Sequence, residues 1–389
     1  MPTADDPADR PAAAGAAVTD LEPGAEAPPE PVSPLLDASP GRAPALPDAL
    51  ALDAWAAAAA ADPALPLDER LDWLEDAFES EVGDTAVTRA RHLERETGLR
   101  QLFLKFEGSN PTGTQKDRIA FAQAADCLRR GFDTLTVATC GNYGAAVALA
   151  AKLAGVRALI FIPTSYRTRR TSEMEALGAA IERVAGDYEA AVAASQQRAL
   201  RDDLYDANPG GVNTPVQLKA YGEIAYEIYD DLRDAPAAVA VPVSNGTTLA
   251  GIYRGFVSLY RRGKTSRVPK LVAGSSWNKN PIVRSFRRGF AQCEDLDPAA
   301  IRETEVNEPL INWRALDGDE ALYAVRESGG WAAGASDRAM RTMARRLRER
   351  EGLAALPAST AGLIALLDRH AAEPLPGDRY VAVLTGRRG

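Results

Sequence analysis

Histidine is the scarcest catalytic residue type in this chain. His92 and His370 are the only two among 389 residues, which leaves no material for a His-centred triad. Cysteine is nearly as rare. Cys127, Cys140 and Cys293 are widely spaced, a pattern that suits reduced thiols in a cytoplasm and not a disulfide framework. No Cys/His cluster has metal-ligand spacing, so no metal site is expected. Positive charge is in deficit: 45 Lys and Arg against 54 Asp and Glu give a net charge of -9, which argues against a nucleic-acid-binding surface. Long apolar runs are missing too, so no membrane span is expected. The acidic, proline-rich start lacks the basic-then-apolar pattern of a signal peptide.

What is present divides unevenly. Eleven of the 26 prolines lie in the first 50 residues, among Ala, Asp and Glu. Proline blocks helix interiors and strand ladders, and this stretch has few large apolar groups to bury. Residues 1–67 therefore read as a disordered or loosely attached extension, in which the Ala run of DAWAAAAAADP could form a short helix. From about residue 68 strand-like and helix-like segments alternate: LFLKF (102–106), the helix from 117, TLTVAT (134–139), the small-residue helix 144–155, ALIFIP (158–163), AVAVPV (238–243), KLVAGS (270–275) and YVAVLTG (380–386). Strand–helix–strand order with short links implies parallel pairing and an α/β doubly wound fold. Ligands in such sheets sit at the carboxyl ends of strands, so the loops after strands are the places to look.

Three such loops stand out. In VPVSNGTTLAGI (241–252) the residues Ser244, Asn245, Gly246, Thr247 and Thr248 lead into a helix start that can receive an anion. The alternative is an ordinary turn with a Thr cap. In ATCGNYGAA (138–146) Asn142 and the amides near Gly141 face a ligand position, or else form a tight turn with Asn in a left-handed conformation. In NPTGTQKDR (110–118) Lys116 opens a helix, where a cation is electrostatically disfavoured. A structural lysine avoids that place. A lysine needed neutral, or condensed with an aldehyde, benefits from it. Thr385 in the closing LTGRRG puts a hydroxyl at the same sheet edge.

Together these pieces resemble fold-type II pyridoxal-phosphate (PLP) enzymes, with a tryptophan-synthase-β-like α/β fold, and within them the threonine synthases. The family's Asn-Pro-Thr-Gly-x-x-Lys-Asp-Arg run carries the Schiff-base lysine, which implies Lys116 here. Its Ser/Cys-Gly-Asn loop implies Asn142 at the phenolic oxygen of the ring. SNGTT, residues 244–248, implies the phosphate loop, and Thr385 the hydroxyl at the pyridine nitrogen. GDTAVTRA (83–90) and LPASTAG (356–362) resemble two further family segments, so the likeness runs in order from about 80 to 386. It implies a large lobe of 68–116 plus 205–389, a smaller mobile lobe of 117–204, an active site in the cleft between them, and a homodimer.

The departures fall in the substrate subsite. The family binds a substrate phosphate with an Asn-Ser pair and an Arg; in GGVNTPVQLKAYGEIAYEI (210–228) Gln217 stands where that Arg belongs, and Gly211 and Val212 near the pair. Lys219 or the arginines of YRTRRTSE (166–173) could compensate. Tyr143 stands where many relatives have a Thr that contacts the substrate carboxylate. The resemblance thus implies substrate contacts from Thr139, Cys140, Gly141, Tyr143 and Gln217, although Cys140 also reads as a small packing residue. Three functions remain open: an elimination or replacement enzyme for a β- or γ-substituted amino acid, for example a dehydratase or a cysteate-synthase-like enzyme; threonine synthase proper, which turns O-phosphohomoserine into threonine; and a PLP-binding regulator without turnover.

Overall fold

Strands rich in Val, Ile, Leu and Ala pair into two sheets. In chain order they are β1 (Val87–Arg89), β2 (Leu102–Phe106), β3 (Thr134–Ala138), β4 (Arg157–Pro163), β5 (Ala180–Val184), β6 (Tyr205–Asp206), β7 (Ala238–Pro242), β8 (Lys270–Ser276), β9 (Trp331–Ala335) and β10 (Tyr380–Leu384). The structure is a computed structural model that describes residues 54–139, 141–166 and 170–388. The expectations for residues 1–53, for Cys140 and for positions 167–169 lie outside the described residues.

One sheet runs β1-β2-β10-β7-β8-β9 and the other β5-β4-β3-β6. Every pairing of these strands is parallel except β1 with β2. Strands β3, β7 and β10 are buried along their whole length, as parallel strands covered on both faces must be. Their side chains form the centre of the apolar core: Val137, Val239, Val241, Val381 and Val383 are fully buried. The α/β fold read from the alternation is therefore present, and parallel pairing with it.

Two details place the site. The helices Thr214–Leu232 and Thr247–Arg261 approach so closely that only glycine fits between them. A Cβ on Gly255 would stand 2.5 Å from the Gly222 carbonyl oxygen, and one on Gly251 would stand 2.6 Å from Tyr221 Cβ. This contact sets the Tyr221 ring against the start of the second helix. The second detail concerns the expected extension, which is docked from residue 54 onward. The Ala run forms the helix Ala54–Ala61, the Arg70 guanidinium donates to the Ala60 carbonyl at 3.1 Å and to the Ala154 carbonyl at 2.9 Å, and Ala60 joins the core. Among the described residues no helix is long and apolar enough to cross a membrane.

Candidate active site

The loops that leave β2, β3, β7 and β10 open into one cavity of about 2150 Å³. That exceeds the ordinary range for a single small ligand, roughly 300–1,000 Å³, so it has room for a cofactor together with a substrate.

Lys116 enters the cavity from a turn that its neighbours hold rigid. Asp117 folds back and accepts from the Thr112 backbone N–H at 2.9 Å and from its hydroxyl at 2.8 Å. Gly113 takes φ +88, a conformation that favours glycine. Arg118 donates to both oxygens of Glu107, at 2.6 and 2.9 Å, and to both of Glu227, at 2.6 and 2.8 Å. Lys105 completes this buried cluster by donating to Glu227 and to the Thr85 carbonyl. The Asp-Arg pair after the lysine is thus its mounting. The turn is also stitched to the exit of β10: the Gln115 N–H donates to the Thr385 carbonyl at 3.0 Å and the Arg387 N–H to the Gly113 carbonyl at 2.9 Å.

The Lys116 amine lies between two phenol rings, 5.4 Å from the centre of Tyr143 and 5.9 Å from that of Tyr221. Burial lowers its pKa from 10.5 to about 8, and the charge of Asp317 resists the shift. A neutral amine is therefore within reach at moderately alkaline pH, which is what a nucleophile or base requires.

The loop 244–248 forms a cup at the start of the helix Thr247–Arg261. Gly246 has φ +98, and a Cβ there would stand 2.7 Å from Ala321 Cβ. No side chain caps this helix, so its amide donors are suited to an anion. Asn280 braces the cup from behind by donating to the Ser244 carbonyl at 3.0 Å. Asn245 is held by its own side chain: its Oδ1 accepts from Asn312 at 3.0 Å and from the Leu316 N–H at 3.2 Å. On the far wall the Thr139 hydroxyl accepts from the Gly141 and Gly144 amides at 3.1 and 3.2 Å. Asn142 Oδ1 accepts from Arg170 at 2.8 Å, which leaves its amide hydrogens to donate to an acceptor such as a phenolic oxygen. A lysine with a lowered pKa, an uncapped helix start and an oriented amide are the contacts that PLP needs, so the residues present fit that group.

Lys116, Asn142, Ser244, Asn245, Gly246, Thr247, Thr248, Thr385, Thr139, Gly141 and Tyr143 all line this one cavity. Gln217 does not line it. It is fully buried, behind Tyr143, and its Nε2 donates to the Ala207 and Asn208 carbonyls at 3.2 and 3.0 Å. The neighbouring Tyr143 hydroxyl points the same way, donating to the Ala207 carbonyl at 2.8 Å and accepting from Gln123. Tyr143 therefore offers the cavity its ring and not its hydroxyl. Two of the candidates for compensation lie within the described residues, Lys219 and Arg170. Lys219 is exposed, away from the cavity lining, and Arg170 is engaged by Glu173 at 2.8 and 3.1 Å, by the Thr112 carbonyl at 2.8 Å and by Asn142.

Sequence reasoning missed Asp317 and Tyr221. Asp317 is buried behind the cup, where burial pushes its carboxyl up while Thr247, Gly210 and Thr214 as donors oppose that. In the sequence it reads as an ordinary helix cap before GDEAL, and Tyr221 as a core aromatic, so neither carried a signal.

The family model for pyridoxal-phosphate dependent enzymes matches residues 78–386. A threonine synthase of Methanocaldococcus jannaschii is 29% identical over 309 residues, which cover 78% of this chain and 74% of that protein. A threonine synthase of Synechocystis is 30% identical over 287 residues, 74% of this chain and 71% of the relative. Among solved structures, maize serine racemase matches with a TM-score of 0.67 at 20% identity, covering 82% of this chain and 94% of that one. The threonine deaminase of T.th. matches with a TM-score of 0.67 at 20% identity, covering 82% and 97%. At that identity the two structures speak for the fold, which is fold-type II.

Proposed function

We propose, of a chain that belongs to the pyridoxal-phosphate dependent enzyme family, that it carries out elimination or replacement on a β- or γ-substituted amino acid lacking a phosphate group. It is a PLP-dependent, threonine-synthase-like enzyme; the choice of substrate is the proposal. The observation that carries it is the wall at which the resemblance expects a guanidinium for a substrate phosphate; the arginines that do line the cavity, among them Arg387 and Arg388, come from other segments. Gln217 is buried behind that wall, and Arg170 is already held by a carboxylate, an amide and a carbonyl. A neutral amide facing away is no replacement for a bidentate cation.

In this reading Lys116 would hold the cofactor, the cup of residues 244–248 would receive its phosphate, Asn142 would donate to its phenolic oxygen, and Thr385 would supply the hydroxyl at its pyridine nitrogen. When bound, PLP supplies an electron sink for negative charge at the substrate α-carbon. The Lys116 amine would take the α-proton and return protons to neighbouring carbons, and its lowered pKa suits both acts. The ring of Tyr143 gives the substrate a flat floor beside that amine. The two sheets support a division close to a large lobe of 68–116 plus 205–389 and a small lobe of 117–204, except that β6 at 205–206 pairs into the smaller sheet; closure would exclude water during the reaction. A cytoplasmic homodimer completes the proposal.

A second reading is threonine synthase proper, favoured by the relatives that bear that name. The test is phosphate release from O-phosphohomoserine by the PLP-loaded protein, with Lys116→Ala as the blank. Release at an ordinary enzymatic rate, with threonine as product, refutes the proposal and establishes the second reading. No release from a protein that shows the absorbance of lysine-bound cofactor supports it. A protein that takes up PLP but turns over no β- or γ-substituted amino acid would instead be a regulator.

A further inference from the structure

Thr247 and Thr248 are adjacent at the start of one helix, and both line the cavity. Their hydroxyls nonetheless face different neighbours. Thr247 Oγ1 donates to Asp317 Oδ2. Asp317 sits at the N-cap position of the helix Gly318–Glu327 but makes no capping bond there. Its carboxylate turns instead toward the cup, where it also accepts from the Gly210 N–H at 3.1 Å and the Thr214 hydroxyl at 3.4 Å. A carboxylate only accepts, so the single hydrogen of the Thr247 hydroxyl is committed to it.

Thr248 has a different neighbour. The Tyr221 phenol lies beside its hydroxyl, short of hydrogen-bond geometry, and is buried without a partner. A buried hydroxyl left unpaired is costly, so it marks a bond that something else completes. If Thr248 gave its hydrogen to Tyr221, the phenol hydrogen would still lack an acceptor. Both hydroxyls are satisfied in one arrangement: Tyr221 donates to Thr248, and Thr248 donates outward to an acceptor in the cup. An oxyanion at an uncapped helix start is such an acceptor.

We infer that the two threonines act with opposite polarity toward the cofactor: Thr248, backed by Tyr221, donates its hydrogen to the phosphate, while Thr247 is withheld by Asp317. Tyr221 and Asp317 are then positioning residues for the cup. The inference rests on the PLP reading above.

The test is the dissociation constant of PLP, read by absorbance titration of the cofactor-free protein, with thermal melting to confirm that each variant is folded. Thr248→Val raises the constant about tenfold or more, the loss of a charge-assisted bond, and Thr248→Ser restores it. Thr247→Val changes it less than about threefold. Tyr221→Phe raises it about threefold in the native background and adds nothing on top of Thr248→Val, because the two act as one unit. Equal losses from the two Val variants, or an undiminished Tyr221→Phe effect in the Thr248→Val background, overturn the inference while leaving the cofactor in place. Failure of the native protein to take up PLP overturns both.

Discussion

Lys116 should destabilise the fold that presents it. Its amine is lowered from 10.5 to about 8 because burial penalises the charged form more than the Asp317 charge favours it. Below pH 8 the lysine is charged in both folded and unfolded states, and the folded state bears the full penalty. Between about 8 and 10.5 the folded amine has lost its proton while the unfolded one keeps it. The unfolded state then binds more protons, and stability rises with pH. The interval between 10.5 and about 8, at about 1.4 kcal/mol per pH unit, gives a penalty of about 3 kcal/mol. Lys116→Met keeps most of the stem and removes the charge. In urea denaturation of the cofactor-free protein at pH 7 the variant should be more stable by up to that amount, and its advantage should shrink by about 2 kcal/mol by pH 9.5. Other titrations are shared by the two proteins and cancel in the difference. A gap that stays constant from pH 7 to 9.5 would refute the reasoning, since the amine would then titrate alike in both states.

Three further outcomes follow from the contacts around the site. Arg170→Gln releases the Asn142 amide and the Thr112 carbonyl, so the pH at which the bound-cofactor absorbance titrates should move; an unmoved titration would mean that Asn142 is oriented without it. Gln217→Ala removes a buried donor to two carbonyls and should lower stability by about 1–3 kcal/mol with KM unchanged; a raised KM at unchanged Tm would return Gln217 to the substrate site. Glu227→Gln leaves Arg118 and Lys105 without their shared carboxylate and should cost about 3–5 kcal/mol. In the native protein burial pushes Glu227 up, but Arg118 and Lys105 outweigh it and hold it at about 2 instead of 4.5. That stabilisation is present above pH 4.5 and lost as pH falls toward 2, so the difference between native and Gln variant in acid unfolding should narrow over this window.

The cavity wall was largely legible because short-range chemistry writes it. A glycine with positive φ, an Asn at a helix start and a lysine after a tight turn each leave a mark within about ten residues, and eleven of the twelve expected positions among the described residues line one cavity. The long strands were equally readable, since continuous burial demands continuous apolar residues; LFLKF is β2 over the same five residues. The two-residue β6 is too short to show a period, and β9, WAAGA, has almost no large side chains. Gln217 lies off the cavity for a different reason. Alignment with a family motif fixes a position along the helix Thr214–Leu232 but not the face that the side chain takes, and here that face looks inward, to Ala207 and Asn208. Asp317 is 201 residues from Lys116, and no local pattern could announce that its charge acts on that amine.

The same distance between sequence and contact explains the Lys-Asp-Arg order. A lysine that must be uncharged part of the time cannot hold itself in place by an ion pair, because the pair would raise its pKa. Its position has to come from its neighbours. Asp117 fixes the turn before it through Thr112, and Arg118 anchors the turn after it to two carboxylates from distant segments, Glu107 and Glu227. The charges are thereby gathered one and two residues beyond the amine, in a cluster that Lys105 helps to neutralise. The amine itself is left with two phenol rings and one carboxylate behind the cup as its neighbours. The rigid part of the motif and the amine are separate side chains, and so in the proposed reaction Lys116 would change its bonding partner without releasing the turn that carries it.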